Sequence, residues 1–256
     1  MSLTKLVLHF AAPVPQVEAF DRYLFIGPHP DDIEVGAGAT AAKLAGAGKK
    51  VTFLICTDGR FGTENAPEGT TSEALISLRK AEALASARAL GVEDVRFLDL
   101  SDGALYDRAD LFRGIARVIG EAKPDLIFAP DPDVSSECHA DHRNTGEAAR
   151  RAAFFAPFPE IMKQNGAASS NVQAIAFYMT AKPNRFVKVK GLIGRQLGAL
   201  LLHKTQFPRD SEAFRTVSLY LKLRAADFGL RSLNGQAEGF RVLARTQMHC
   251  LPEAGK

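Results

Sequence analysis

The chain has 256 residues, of which 46% are hydrophobic, and a formal net charge of +3. This size allows one domain, residues 1–256, with a substantial core, and the small, dispersed charge argues against a nucleic-acid-binding protein. No apolar run approaches the roughly 20 residues of a membrane span, and three widely spaced cysteines argue against a disulfide framework, so we expect no membrane span and a cytoplasmic location.

The first predicted strand, residues 23–26, ends in a polar corner with the sequence PHPDD at residues 28–32. His29 and Asp32 can reach one cation from a single turn, and this pair of nitrogen and oxygen ligands suits zinc or a similar metal. Asp31 would then be free to act as a general base for water. The alternative is an ordinary turn in which Asp32 is a helix N-cap.

The next segments alternate between helix and strand. They are a helix at residues 33–48, a strand at 51–56, a loop at 60–71 and a helix at 72–90 that is capped by Gly91. Arg79 and Glu82 lie three residues apart on the last helix, so they could pair with each other or point a guanidinium at substrate oxygen atoms.

The alternation continues to a second polar corner. A strand at residues 95–98 is followed by the dipeptide Asp102-Gly103, a helix at 109–122, a strand at 126–129, a loop, and a helix at 144–155. The loop contains the sequence HADH at residues 139–142. If the two corners meet across neighbouring parallel strands, His142 completes a His-Asp-His set with an open fourth position, as in catalytic zinc sites. Cys138 could instead be a nucleophile, but the first corner would then have no role.

Strands that alternate with helices predict an α/β fold with a doubly wound, mostly parallel, Rossmann-like sheet and the site at the carboxyl ends of its strands. Residues 22–155 form the core βα units, and residues 156–256 form an elaborated C-terminal part. In that part we predict strands at residues 174–178 and 186–189 and helices at 192–203 and 212–228. Residues 6–12 are expected to form an extra strand or arm.

Together these motifs resemble the LmbE-like (PIG-L) family of zinc-dependent N-deacetylases, which hydrolyse acetamido groups on N-acetylglucosamine derivatives. The resemblance rests mainly on the sequences PHPDD and HADH. Weaker blocks follow in the family's order: TDG at residues 57–59, Arg79-x-x-Glu82 with the dipeptide LG at 90–91, SDG at 101–103 and HKTQ at 203–206. It covers about residues 25–240.

The resemblance implies a hydrolase that removes the N-acetyl group from an N-acetylglucosamine-type sugar or sugar conjugate with one Zn²⁺ per chain. It implies the zinc ligands His29, Asp32 and His142, the base Asp31, and the acid His139 with Asp141 as its orienting partner. It places Arg79 and Asp102 in the substrate pocket, where Arg60 replaces the acidic residue that many members carry.

The expected partner is a small amino-sugar substrate, and we expect a homo-oligomer. One alternative is an amidase of the same fold that cleaves a bulkier acyl or conjugate amide. Another is a carbohydrate-binding protein without activity, although binding alone does not require both a metal site and a base.

Overall fold

The structure is a computed structural model that describes residue 7 and residues 10–251. Its strands are β1 (Arg22–Gly27), β2 (Lys50–Thr57), β3 (Asp94–Leu100), β4 (Leu126–Pro130), β5 (Ala174–Tyr178), β6 (Arg185–Lys188) and β7 (Ala237–Ala244). Its helices are α1 (Asp32–Gly46), α2 (Ser72–Leu90), α3 (Arg108–Ala122), α4 (Ala140–Phe155), α5 (Pro159–Gln164), α6 (Ile193–Leu200) and α7 (Glu212–Ser232). Short 3-10 turns occupy Val17–Ala19 and Arg245–Gln247.

The strands form one seven-stranded sheet in the order β3-β2-β1-β4-β5-β7-β6. The pairs from β3 to β5 are parallel, whereas β7 is antiparallel to both β5 and β6. The predicted mostly parallel, doubly wound sheet is therefore confirmed, and one strand of the C-terminal part, β7, runs the other way.

Both faces of the sheet are buried, as expected for parallel strands that are covered by helices. Side chains alternate between the faces along each strand. In β1, Tyr23 and Phe25 belong to a core shared with α1, α6 and α7, whereas Leu24 and Ile26 belong to a second core shared with α3 and α4. The rings of Phe25 and Phe128 stack in the first core at a centroid distance of 4.1 Å.

Three predicted helix boundaries need correction in the second half of the chain, and two elements were missed. Helix α4 begins at Ala140 and not at residue 144, because the backbone N–H of Asp141 donates to the ring of His139, which caps the helix. Helix α6 ends at Leu200, three residues before the predicted end, and α7 continues to Ser232, four residues beyond the predicted end. Strand β7 and helix α5 were not predicted.

The arm that was predicted at residues 6–12 lies partly outside the described residues, which omit 1–6 and 8–9. The chain that follows it contacts the domain, since Nε of Arg185 on β6 donates to the carbonyl of Pro15 at 3.1 Å.

Helix α1 is interrupted at Ala37, whose φ of −155° and ψ of 17° are not helical. The interruption frees backbone N–H groups inside the helix, and those of Ala39 and Thr40 donate to the carboxylate of Glu238 at 3.2 and 2.7 Å. Nε2 of Gln196 donates to the same carboxylate at 3.1 Å. A residue of β7 thus caps the second half of α1.

The sheet order explains where the two polar corners lie. Strand β1 has β2 on one side and β4 on the other, so the direction of winding changes between β1 and β4. Loops that follow two such strands diverge and leave a crevice at their carboxyl ends. The corners after β1 and β4 border this crevice. Among the described helices, none is long and apolar enough to cross a bilayer.

Candidate active site

The corner after β1 brings His29 and Asp32 together. Both the backbone N–H and Nδ1 of His29 lie close to Oδ2 of Asp32, at 2.8 and 3.0 Å. Between them Asp31 has a φ of 133°, a conformation that residues other than glycine rarely adopt. The tight turn therefore holds three chemically active side chains within four residues.

The corner after β4 supplies a third group to the same place. Nε2 of His142, on the first turn of α4, lies 3.3 Å from Oδ1 of Asp32. One ligand atom from each of His29, Asp32 and His142 lies within 4.8 Å of the others, and the three side chains are largely shielded from solvent. Two imidazoles and a carboxylate in this arrangement could hold a zinc ion.

Two further carboxylates hold the other edge of the His29 ring. Nε2 of His29 lies 3.1 Å from Asp102 and 3.2 Å from Asp141. Burial disfavours a charged imidazole, but Asp102, Asp141 and Asp32 outweigh it and raise the pKa of His29 to about 12. Such carboxylates commonly fix the orientation of a metal-binding histidine.

The carboxylate of Asp141 is fully buried and also anchors the loop after β3. It accepts hydrogen bonds from the backbone N–H groups of Gly103 and Ala104, both at 2.8 Å. Its nearer oxygen is 3.8 Å from Nδ1 of His139, beyond hydrogen-bond distance. Asp141 thus contacts His29 and the β3 loop more closely than it contacts the His139 ring.

The carboxylate of Asp31 contacts the buried guanidinium of Arg79. Nη2 of Arg79 donates to Oδ2 of Asp31 at 3.2 Å and to the carbonyl of Pro30 at 3.0 Å, and Nη1 donates to the carbonyl of Gly59 at 2.9 Å. Burial raises the pKa of Asp31 to about 6, with Arg79 opposing the shift and Asp32 adding to it. The structure therefore places Arg79 behind Asp31, where it is shielded from solvent.

His139 is the most exposed of the histidines at the site. Its ring centroid lies 4.6 Å from that of His29 and 5.2 Å from that of His142. Because almost half of the side chain is open to solvent, the ring could reach a bound ligand. It borders the three ligand candidates without belonging to the same group.

Glu137 contacts both histidines of the second corner. Its Oε1 accepts the backbone N–H of His139 at 2.8 Å, and its Oε2 lies 3.1 Å from Nδ1 of His142 at an angle that does not form a hydrogen bond. Sequence reasoning did not assign it this position. The available signal was an acidic residue five positions before a candidate ligand histidine.

Arg60 is held at the rim of the crevice by a buried carboxylate. Its Nε and Nη2 donate to Oδ2 of Asp58 at 2.9 and 2.6 Å. The HKTQ block lies behind the site, where Oγ1 of Thr205 donates to Glu82 at 2.6 Å and Nε2 of Gln206 donates to the carbonyl of Gly62 at 2.8 Å. The block therefore joins α2 to the loop at residues 60–71.

Comparisons with known proteins show what the chain is similar to. A family model described as PIG-L, GlcNAc-PI de-N-acetylase, matches residues 24–153, a segment that contains both corners. Diacetylchitobiose deacetylase of Thermococcus kodakarensis is 34% identical over 256 residues, which cover 98% of this chain and 93% of that protein. A 1D-myo-inositol 2-acetamido-2-deoxy-alpha-D-glucopyranoside deacetylase of Kineococcus radiotolerans is 30% identical over 65% of this chain and 54% of that protein.

A solved structure extends the similarity to the whole fold. N,N'-diacetylchitobiose deacetylase from Pyrococcus horikoshii, complexed with its inhibitor MPG, superimposes with a TM-score of 0.87 at 29% identity. The superposition covers 98% of this chain and 97% of that one. The similarity therefore includes the C-terminal strands and helices as well as the segment with the two corners.

Proposed function

This chain belongs to the PIG-L family of GlcNAc-PI de-N-acetylases, and from that premise we propose that it hydrolyses the N-acetyl group of an N-acetylglucosamine-type sugar or sugar conjugate with one zinc ion per chain. Its motif resemblance to the family is confirmed. The amino-sugar class is supported by the names of the similar deacetylases. The observation that carries the proposal is the convergence of His29, Asp32 and His142 beside Asp31.

The proposed metal ligands are His29, Asp32 and His142. Two imidazole nitrogens and one carboxylate oxygen suit zinc, and three protein ligands leave a position open, as catalytic sites require. When bound, zinc supplies a Lewis acid that lowers the pKa of water and polarises the acetyl carbonyl. Asp102 and Asp141 orient the ring of His29 from its far edge.

Asp31 is the proposed general base. With a pKa of about 6 it is mostly ionised at neutral pH, and it is basic enough to take a proton from the attacking water. The hydrogen bond from Arg79 fixes the direction of the carboxylate and stabilises its charge. We assign Arg79 to the positioning of this base.

His139 is the proposed general acid. Its exposed ring stands next to the rings of His29 and His142, and it can donate a proton to the departing sugar amine. The backbone contact between Glu137 and His139 holds this part of the loop in place. Arg60, fixed at the rim by Asp58, is assigned to contacts with the sugar.

The test combines metal analysis with a primary-amine release assay on N-acetylglucosamine, diacetylchitobiose and conjugates of increasing acyl length. We expect about one zinc per chain in the wild type, a large loss in His142→Ala, and no loss in the matched control His249→Ala, because His249 lies outside the site. Full metal content in His142→Ala would contradict the ligand assignment. Cleavage of only the longer acyl groups would favour the alternative amidase.

We also propose that the protein works in a reducing, cytoplasmic compartment. Cys56, Cys138 and Cys250 are free thiols, and two of them are exposed. Exposed thiols are more typical of proteins in reducing compartments than of secreted ones.

A further inference from the structure

Besides the apolar face that packs on the domain, α7 has a second apolar stripe along its solvent side. It consists of Leu219, Leu223, Ala226, Leu230 and Leu233, the last of which is the residue that follows the helix. The four leucines are 60%, 61%, 77% and 94% exposed, in that order. We call these five residues the leucine seam.

The leucine seam is separate from the face with which α7 packs on its own domain. That buried face contains Leu221, Ala225 and Phe228 and lies against the first core and β7. A helix at the surface of a monomer normally has one apolar face and one polar face. Contiguous exposed apolar residues of this kind mark a site of interaction.

The spacing within the leucine seam indicates what would cover it. The four members within the helix are four, three and four residues apart, which is the repeat of 3.5 residues that lets two helices pack side by side. In heptad terms, Leu223 and Leu230 occupy a positions and Leu219 and Ala226 occupy d positions, whereas Leu233 follows the end of the helix with a φ of 57° and has no heptad position. A second helix with the same repeat fits this surface better than a compact ligand does.

Charges beside the leucine seam favour another copy of the same helix. Lys222 occupies a g position on one side and Asp227 occupies an e position on the other, five residues further along. In a parallel pair of helices, position g of one chain faces position e of the next heptad in the other chain. Lys222 of each copy would therefore meet Asp227 of the second copy.

The ion pairs within one chain leave these two side chains accessible. Lys222 makes no salt bridge within residues 10–251, and Asp227 has only an exposed partner, Nη1 of Arg231 at 3.5 Å. Such an exposed pair contributes little to stability. In an antiparallel pair, g positions face g positions and e positions face e positions, so Lys222 and Asp227 would not meet.

We propose that α7 is a self-association surface on which the leucine seams of two copies of this chain pack in parallel, flanked by two Lys222–Asp227 ion pairs. A stable interface buries about 800 Å² on each partner, more than a seam of two heptads provides, so neighbouring residues such as the half-exposed Tyr220 complete the contact. The proposal concerns a surface with no group of the proposed catalytic site, and it does not depend on the deacetylase assignment.

Sedimentation equilibrium of the full chain tests the seam. We expect an assembly of at least twice the chain mass of 27.6 kDa, and a mass at least halved in the double variant Leu223→Glu, Leu230→Glu. The control Leu78→Glu puts the same charge on a partly exposed leucine of α2 and should leave the mass unchanged. Circular dichroism shows whether the double variant is folded, and Leu223→Gln gives a milder substitution if it is not.

A charge swap tests the parallel arrangement. Lys222→Asp and Asp227→Lys should each weaken association about 10-fold, because each places like charges together, and the double swap should restore it. A monomeric wild type, a seam variant that keeps its mass, or an equal loss of mass in Leu78→Glu would each overturn the proposal. A monomer that binds phospholipid vesicles through the leucine seam would also overturn the proposal. If the double swap does not restore association, the parallel pairing is wrong.

Discussion

The substitution Glu238→Gln tests whether one buried carboxyl group makes the stability of this fold depend on pH. The carboxyl group of Glu238 caps the interrupted helix α1 by accepting the N–H groups of Ala39 and Thr40, and it also accepts a hydrogen bond from Gln196. Burial is the largest influence, and it raises the pKa of Glu238 to about 7 despite these donors.

The size of this pH dependence follows from the difference between the pKa of Glu238 in the unfolded chain and its pKa in the folded protein. The pKa is 4.5 in the unfolded chain and about 7 in the folded protein, and each pKa unit corresponds to about 1.4 kcal/mol, which gives about 3 kcal/mol in all. Because the folded pKa is raised, this stabilisation is fully present below pH 4.5 and is lost as the pH rises through 7. Most of this loss falls between pH 5 and pH 8.

Urea unfolding of the wild type and Glu238→Gln at intervals from pH 5 to pH 8 measures this contribution. Glutamine keeps an oxygen that can accept a backbone hydrogen bond but does not ionise, so the variant should lack this part of the pH dependence. The control Glu121→Gln changes an exposed carboxylate that pairs with Arg96 and should follow the wild-type profile. Parallel pH profiles for the wild type and Glu238→Gln would refute the reasoning.

Two predictions concern the proposed chemistry. Asp31→Asn should retain zinc and lose roughly 10²-fold or more in kcat, since the amide cannot take a proton. In the wild type, kcat/KM should fall as the pH drops below about 6, because Asp31 then becomes protonated. Near-normal turnover in a zinc-replete Asp31→Asn protein would remove Asp31 from the mechanism. His139→Ala should lower kcat at matched metal content, whereas near-normal turnover in this variant would mean that another group supplies the proton.

Most of the fold could be predicted because its first four strands are apolar runs that alternate with periodic helices. Strand β7 could not, because its sequence AEGFRVLA interrupts the apolar pattern with charged side chains. Each of these charged side chains contacts a residue far away in the sequence. Glu238 caps α1, and Nε of Arg241 donates to Asp131 at 2.9 Å. Burial of polar residues depends on such tertiary contacts, which local periodicity does not record.

The meeting of the two corners could also be anticipated, because it follows from neighbouring parallel strands. The pairing of individual side chains could not. Asp141 was expected beside His139, yet its Oδ2 is 3.2 Å from Nε2 of His29 and 3.8 Å from Nδ1 of His139. Arg79 was expected to face substrate, and the structure places it behind Asp31. Differences of a few tenths of an ångström decide these contacts, and spacing along the chain does not determine them.

The position of β7 has a consequence for the order in which the protein assembles. A ribosome makes β6 before β7, yet β7 is the strand that pairs with β6 and joins it to β5. Until residues 237–244 emerge, the edges of β5 and β6 stay unpaired and open to wrong partners. Glu238 arrives with the same strand, so the nascent α1 behind Asp31 and Asp32 also lacks its internal cap. We therefore expect the first corner, although made early in synthesis, to become rigid only when nearly the whole chain has been translated.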